Sequence, residues 1–273
     1  MIAFPNCKIN LGLSIVSKRA DGYHALETVF YPVQLQDIVE IVHSEESISP
    51  IQFSSTGLAI PGDKTQNLCV KAFHLLKKDF PQIPSVKIHL HKNIPMGAGL
   101  GGGSSDGTAV LKLLNQQFNL ALSNEQLITY AAQLGSDCPF FIYDNACYAT
   151  GRGEILEPFG LDLSNYKIAL VYPGIHISTA SAFGALKPHA KEKSILEIIA
   201  TPIENWKSTL INDFESPIFL AHPILATIKN ELYAQGAIYA SMSGTGSSMF
   251  GIFPAHFSFP NHFMDNQFRT DYI

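Results

Sequence analysis

Charged residues are sparse, 15% of the 273, and nowhere do Lys and Arg gather into a run. With 18 Lys+Arg against 23 Asp+Glu the net charge is −5. The chain therefore lacks the basic patch with which a protein holds nucleic acid or an anionic membrane surface. No unbroken apolar stretch reaches the ~18 residues that a membrane-crossing helix needs. The opening residues MIAFPNCKIN lack the basic-then-apolar pattern of a secretory signal. Cysteine is scarce: Cys7, Cys69, Cys138 and Cys147 have neither metal-ligand spacing nor disulfide density. Repeats, linkers and low-complexity segments are missing too. These absences argue against a nucleic-acid binder, a membrane protein and a disulfide scaffold, and the expectation is a soluble, cytoplasmic, globular protein. What is present is apolar side chain, 46% of the residues, enough for a real core and too much for a disordered chain. At ~150 residues per domain, the length allows one large or two modest domains.

Strand and helix periods interleave. In KINLGLSIV, Ile9, Leu11, Leu13 and Ile15 alternate with polar or small residues, which predicts a half-buried strand with Lys8, Asn10 and Gly12 on one face. The Asp21-Gly22 pair in KRADGYH suits a tight turn. TVFYPVQL and DIVEIV read as strands, with Pro32 marking the former as irregular or an edge. A helix is expected over 66–78, a strand at VKIHL, and a helix over about 104–118 with Val110, Leu111, Leu114 and Phe118 buried. Ser123 and Gln126 form a capping box for a further helix that Gly135 can stop. KIALVY reads as a buried strand, 194–235 as mainly helical, and AIYASMSG and SSMFGIF as two strands around a turn of small residues. The last twenty residues show no period. This mixture lacks the regular βαβ rhythm of a doubly wound sheet, so the fold class is α+β.

The most informative segment is IPMGAGLGGGSSDG, with glycines at 97, 99, 101, 102, 103 and 107. Such a run lets the backbone turn its N–H groups onto one concave surface and then passes into a helix N-terminus. That combination suits a phosphate, and Ser104 and Ser105 add hydroxyl donors. A P-loop needs Gly-Lys-Ser/Thr, where this chain has Ser104-Ser105-Asp106. Gly97, Gly99 and Gly102 fit G-x-G-x-x-G, but no acid-tipped second strand follows at the dinucleotide-binding distance. A phosphate cradle is the reading that remains.

The stretch P-x-x-x-G-L-G-G-G-S-S-D, from Pro95 to Asp106, resembles the phosphate loop of the GHMP kinase superfamily of small-molecule kinases. P-N-C-K-I-N-L-G-L (5–13) is similar to that superfamily's first motif, and S-G-T-G-S-S (243–248) to its third. R-A-D-G-Y-H (19–24), L-G-S-D-C-P-F-F (134–141) and G-R-G-E-I-L (151–156) resemble one branch, whose acceptor is a cytidine-diphospho sugar alcohol on the non-mevalonate route to isoprenoid precursors. The blocks are collinear over about the first 250 residues. The implied fold is two α+β parts, 1–150 and 151–273, with the active site in the cleft between them. The implied activity is phosphoryl transfer from ATP, as its Mg²⁺ complex, to an alcohol, with no prosthetic group. A monomer or homodimer fits. Two rivals are a superfamily kinase for a mevalonate-type or homoserine acceptor, and a nucleotide-binding regulator without catalysis.

By this resemblance Asp137 is the catalytic base and Lys8 its partner; by local sequence alone, Asp137 suits an N-cap equally well, and Lys8 more often reads as a solvated strand edge, although Asn10 and Gly12 on its face leave room for a ligand. The common family form is Pro-Ala-Lys, and here Asn6-Cys7 separate Pro5 from Lys8. The resemblance assigns Pro95, Met96, Gly97, Ala98, Gly99, Leu100, Gly101, Gly102, Gly103, Ser104 and Ser105 to the triphosphate. It sets Asn67 and Lys92 beside the adenosine, although a helix cap and a solvated strand end describe them as well. For the acceptor it implies Asn10, Tyr23, His24, Thr179 and Phe183, the rings of Tyr23 and Phe183 enclosing the base and His24 pairing with its edge. Phe183 alone reads as core. Gly244, Thr245 and Gly246 offer a second backbone cradle or a plain hairpin turn. Asp106 suits either a metal or the helix N-terminus, and no metal ligand is assigned.

Overall fold

The computed structural model describes residues 1–20, 22–45, 49–184, 186, 192–259 and 269–272. In chain order come β1 (Ile2–Ala3), β2 (Asn6–Lys18), β3 (His24–Gln36), β4 (Ile38–His43), β5 (Ile51–Gly57), α1 (Leu68–Asp79), β6 (Val86–Lys92) and α2 (Gly102–Gln117). Next are α3 (Asn124–Leu134), α4 (Phe140–Tyr143), β7 (Cys147–Thr150), β8 (Ile155–Pro158), β9 (Tyr166–Tyr172), α5 (Thr179–Gly184) and α6 (Ile195–Ile199). The chain continues through α7 (Trp206–Thr209), α8 (Glu215–Ala221), α9 (Pro223–Ala234), β10 (Tyr239–Met242), β11 (Met249–Pro254) and β12 (Arg269–Tyr272). Among the described residues no helix is long and apolar enough to cross a membrane.

Two compact units divide these elements. One takes Met1–Cys7, Gln34–Met96 and Gly101–Asn145; the other takes Lys8–Val33, Gly97–Leu100 and Ala146–Ile273. The units thus interleave along the chain, whereas the expectation is a single cut near residue 150; the step from Asn145 to Ala146 falls beside that cut.

In the first unit the sheet order is β1-β4-β6-β5, with β5 parallel to β6 and the other pairs antiparallel. Val39, Ile41, Ile88 and Leu90 on the inner face meet Cys69, Ala72, Phe73 and Leu76 of α1 and Val110, Leu111 and Leu114 of α2. Burying each of the larger side chains contributes ~2 kcal/mol. The 3.6-residue period read over 66–78 follows from the one-sided burial of α1, whereas α2 is enclosed on all sides from Ser105 to Leu111. Helix α3 begins with the full capping box of Ser123 and Gln126, and Gly135 ends it, its N–H donating to the Ala131 carbonyl.

In the second unit two sheets run β2-β3-β7-β8 and β10-β11-β9-β12. Strand β2 departs from expectation: Asn6 through Ile15 are all buried, so both faces are covered rather than one. The alternation of apolar and polar residues holds, but the polar side is enclosed too. The missing side chain of Gly12 leaves no free space, because a Cβ there would stand 2.6 Å from Leu210 Cδ1. Pro32 does not make β3 an edge strand: β3 lies between β2 and β7, and its ladder with β7 ends at Phe30, before the proline removes a donor. The stretch without sequence period contributes β12, which pairs antiparallel with β9 from Arg269↔Tyr172 to Tyr272↔Ala169. Its backbone ladder, not its side-chain pattern, decides that strand.

Candidate active site

The glycine segment takes its shape from positions that L side chains rarely adopt. Gly97, Gly99 and Gly101 have φ of +60°, +79° and +70°. Space is as restrictive as torsion at Gly99, where a Cβ would lie 2.1 Å from the Ser243 carbonyl oxygen. Helix α2 then starts at Gly102 with no side-chain cap, so its first-turn N–H groups and dipole end are available to an anion. A Cβ on Gly103 would meet nothing within 4 Å. Ser104 is half-buried beside this opening; Ser105, expected there as a second donor, is buried. The bonding atoms of Pro95, Met96, Ala98 and Leu100 are main chain, and Ala98 and Leu100 turn their side chains inward.

Lys92 is not a solvated strand end. Its ammonium is fully buried, donating to Asp37 Oδ2 and, at 2.7 Å, to Asp106 Oδ2. Burial opposes its charge, but the two carboxylates overcome that and leave its pKa above the usual value. Burial pushes the Asp106 carboxyl up to about 8 despite Lys92. Asp106 faces this buried cation through Oδ2. Asn67 is the N-cap of α1, its Oδ1 accepting from Cys69 N at 2.9 Å. Among the described residues no group of three or more His, Cys, Asp or Glu is placed to hold a metal ion.

In the second unit the first and third motifs converge on residues 97–100. Lys8, only 4% exposed, donates through N–H to Leu100 O at 2.9 Å, while its Nζ donates to Asn10 Oδ1 at 2.6 Å and sits 4.8 Å from the Phe30 ring centre. The edge reading of Lys8 fails. Asn10 Nδ2 donates onward to Thr28 Oγ1, whose hydroxyl donates to Gly12 O, so both ends of the Asn10 amide are engaged in orienting the lysine. The two residues placed ahead of Lys8 belong to β2 itself, and Cys7 is a fully buried packing residue.

Residues 243–248 close the β10–β11 hairpin through Ser243 N to Ser248 O, and they also pack on the glycine segment. Ser243 Oγ donates to Gly99 O at 2.8 Å and accepts from Asn10 N at 3.2 Å; Ser248 N donates to Ala98 O. Gly244 and Gly246 have φ of +57° and +87°, and Thr245 alone of this turn is more than slightly exposed.

Asp137 sits in the turn between α3 and α4, partly exposed. The cap alternative is excluded by position: the N-cap of α4 is Pro139. Thr108 Oγ1 on α2 donates to Cys138 O at 3.0 Å and Lys112 Nζ to Phe141 O at 2.6 Å, fastening this turn to the helix that opens at Gly102.

Tyr23 is 57% exposed at the β2–β3 hairpin, with the Arg152 guanidinium 4.9 Å from its ring centre. Residue 21 of that turn lies outside the described residues. His24 stacks on Phe183 with centroids 5.3 Å apart and planes 23° from parallel. Phe183 also meets Phe214 edge-on at 4.9 Å. Its back is core and its front is the imidazole. Thr179 begins α5, exposed, one helical turn before Phe183.

Sequence reading missed the braces. Thr28, Asp37, Thr108, Asn212 and Glu215 are all buried. Asn212 Nδ2 donates to both Met242 O and Gly244 O at 2.8 Å, and Glu215 Oε1 accepts from Met242 N and Ser241 Oγ at 2.9 Å. The available signal was N-D-F-E, a polar cluster inside an apolar helical stretch.

A glycine run that passes into an uncapped helix N-terminus suits an anion such as phosphate. The chain matches the family of GHMP kinases N terminal domains over residues 67–145 and that of GHMP kinases C terminal domains over residues 196–258. It belongs to the GHMP kinases. Within that family it is 52% identical over 260 residues, 95% of this chain and 94% of the relative, to the 4-diphosphocytidyl-2-C-methyl-D-erythritol kinase of Bacteroides thetaiotaomicron. The enzyme of the same name from Cytophaga hutchinsonii is 47% identical over 254 residues, 93% of this chain and 92% of the relative. A crystal structure of a 4-(cytidine 5'-diphospho)-2C-methyl-D-erythritol kinase superposes with a TM-score of 0.80 at 31% identity, covering 92% of this chain and 90% of that one. The Methanococcus jannaschii mevalonate kinase, at 16% identity and a TM-score of 0.70 over 100% of this chain and 97% of its own, shares the fold.

Proposed function

We propose that this kinase transfers the γ-phosphoryl group of ATP to the 2-hydroxyl of 4-diphosphocytidyl-2-C-methyl-D-erythritol, in the non-mevalonate route to isoprenoid precursors. The observation that carries the phosphoryl chemistry is the positive-φ glycine run that leads along the chain into an uncapped α2 N-terminus. The acceptor's identity is supported by relatives of that name at 47–52% identity over most of the chain.

The nucleotide would enter as its magnesium complex, the metal supplying positive charge against the phosphates, with no side chain assigned to hold it. N–H groups at 97–105 hold the triphosphate, where the α2 dipole offsets its charge. Asp137 accepts the alcohol proton; the freed oxygen forms a bond to the γ-phosphorus, the bond from that phosphorus to the β–γ bridging oxygen breaks, and ADP leaves. Lys8, aimed by Asn10, offsets charge on the transferring group. Such a loose transition state depends on alignment and neutralisation more than on base strength. Tyr23, His24 and Phe183 receive the cytosine, with Thr179 at their margin. The His24 imidazole covers the Phe183 face and must swing aside for Phe183 and Tyr23 to enclose the base.

The test is ADP release from Mg-ATP with the cytidyl acceptor beside mevalonate, homoserine and no acceptor. Turnover confined to the cytidyl compound is expected. Turnover with mevalonate or homoserine overturns the acceptor assignment, and ATP binding without any turnover overturns the catalytic one.

A further inference from the structure

Asp37 reaches both sides of the glycine segment. Its Oδ1 accepts from Asn93 N at 2.5 Å and Ile94 N at 2.8 Å, the residues just ahead of Pro95. Its Oδ2 accepts from the Lys92 ammonium, which donates in turn to Asp106 in the second turn of α2, just past the segment. A Cβ on Gly102 would stand 3.0 Å from Lys92 Nζ, so the cation lies directly beneath the first residue of the helix. Asp37, Lys92 and Asp106 therefore form one buried hydrogen-bonded strut from the run-in of the segment to its run-out. A buried ion cluster of this kind contributes little net stability once its desolvation is counted. What it supplies here is a fixed geometry for a glycine-rich backbone that has little stiffness of its own.

We propose that Asp37 is a positioning residue for the nucleotide: acting through Lys92 and Asp106, it holds the two ends of the glycine segment so that the first-turn N–H groups of α2 are aligned before ATP arrives. The inference rests on reading residues 95–105 as the triphosphate cradle. Preorganisation lowers the ordering cost of binding, so the loss of Asp37 acts on nucleotide affinity before it acts on the acceptor.

The strut also carries a pH signature. Asp106 Oδ1 is buried with no hydrogen-bond partner. The groups facing the Asp106 carboxyl are Lys92 on β6, Asp37 ahead of β4 and the buried Cys69 thiol on α1, itself pushed well up by burial. Asp106, pushed up to about 8 by burial, is mostly protonated at neutral pH. Above that value it ionises and adds an uncompensated negative charge under the helix end that meets the triphosphate. Nucleotide affinity then declines as the pH rises.

The experiment measures equilibrium Mg-ATP binding, both KM values and kcat, together with thermal melting, for the wild type, Asp37→Ala, Asp37→Asn and Asp106→Asn. For Asp37→Ala the expectation is ~10-fold or greater loss of Mg-ATP affinity with the acceptor KM within about twofold. Asp37→Asn keeps an acceptor for Asn93 and Ile94 and recovers part of that loss. The wild-type affinity falls from about pH 7 to about pH 9, and Asp106→Asn flattens that profile. Unchanged Mg-ATP affinity in Asp37→Ala overturns the inference, as does an equal loss for both substrates that tracks melting temperature. If Asp37→Ala fails to fold, an Asp37→Asn variant that binds Mg-ATP like the wild type overturns it equally. A wild-type protein that binds no Mg-ATP removes the cradle reading itself, a different result from wild-type binding that Asp37 does not affect.

Discussion

Ser243 and Gly99 fit each other in two ways: the serine hydroxyl donates to the glycine carbonyl at 2.8 Å, and the serine carbonyl fills the place where a Cβ on residue 99 would be. With φ at +79°, Gly99→Ala meets torsional strain and a 2.1 Å clash with backbone together. A loss of about 2–4 kcal/mol in stability and ~10-fold or more in Mg-ATP affinity is expected. Gly103→Ala is the control, since its Cβ meets nothing within 4 Å and alanine favours the helix it joins. Thermal melting separates the two: the first variant falls by several degrees and the second holds or rises.

Asn212 supports the same turn from below. Its amide makes two 2.8 Å donations, to Met242 O and Gly244 O, and its Oδ1 accepts from Phe214 N. Asn212→Ala leaves these buried groups unpaired, at about 1–3 kcal/mol each before relaxation. Asn212→Asp keeps the acceptor and loses both donors. Both variants are expected to melt earlier, and Mg-ATP affinity should fall in the fraction that remains folded, because the displaced turn is the one that seats Gly99. Denaturant unfolding with parallel nucleotide titration checks this.

These braces mark the limit of what the sequence discloses. Helices α1 and α2, the capping box of Ser123 and the strands β6, β9, β10 and β11 were legible because their signals are local: a burial period, a cap, an alternation. The glycine segment was legible for the same reason. Lys92 was not, because a lysine at a strand end reads as solvated unless Asp37 and Asp106 are known to reach it, 55 and 14 residues away along the chain. Strand β2 was half legible: alternation found its two faces, but only the packing of Leu210 and Thr28 around it shows that both are covered. β12 carries no period because a backbone ladder to β9 suffices to hold it.

The aromatic group gives a prediction that separates substrates. Tyr23 is exposed and its ring meets the Arg152 guanidinium, an exposed cation–π contact worth ~0.5–1 kcal/mol, so removing it costs the fold little. Tyr23→Ala should leave melting within about 1 °C, raise the acceptor KM by ~10-fold or more through loss of stacking worth ~1–3 kcal/mol, and leave the Mg-ATP KM unchanged. Phe183→Ala also loses the Phe214 contact and melts earlier. An unchanged acceptor KM in Tyr23→Ala places the base elsewhere.

Asp137 allows the sharpest separation of binding from chemistry. It lies in the turn ahead of α4, whose N-cap is Pro139, and Asp137→Asn removes a proton acceptor while keeping nearly the same shape. The expectation is a fall of ~10²–10⁴ in kcat, with both KM values within a few-fold and melting unchanged. Near-normal turnover would exclude Asp137 as the base. Its placement relative to α2 depends on the Thr108 hydroxyl, 3.0 Å from Cys138 O. Thr108→Ser retains that bond and should retain activity, whereas Thr108→Val keeps the volume and loses the donor. If alignment of Asp137 is what the bond provides, Thr108→Val lowers kcat more than it raises either KM, and the serine variant shows that the hydroxyl, not the methyl, is responsible.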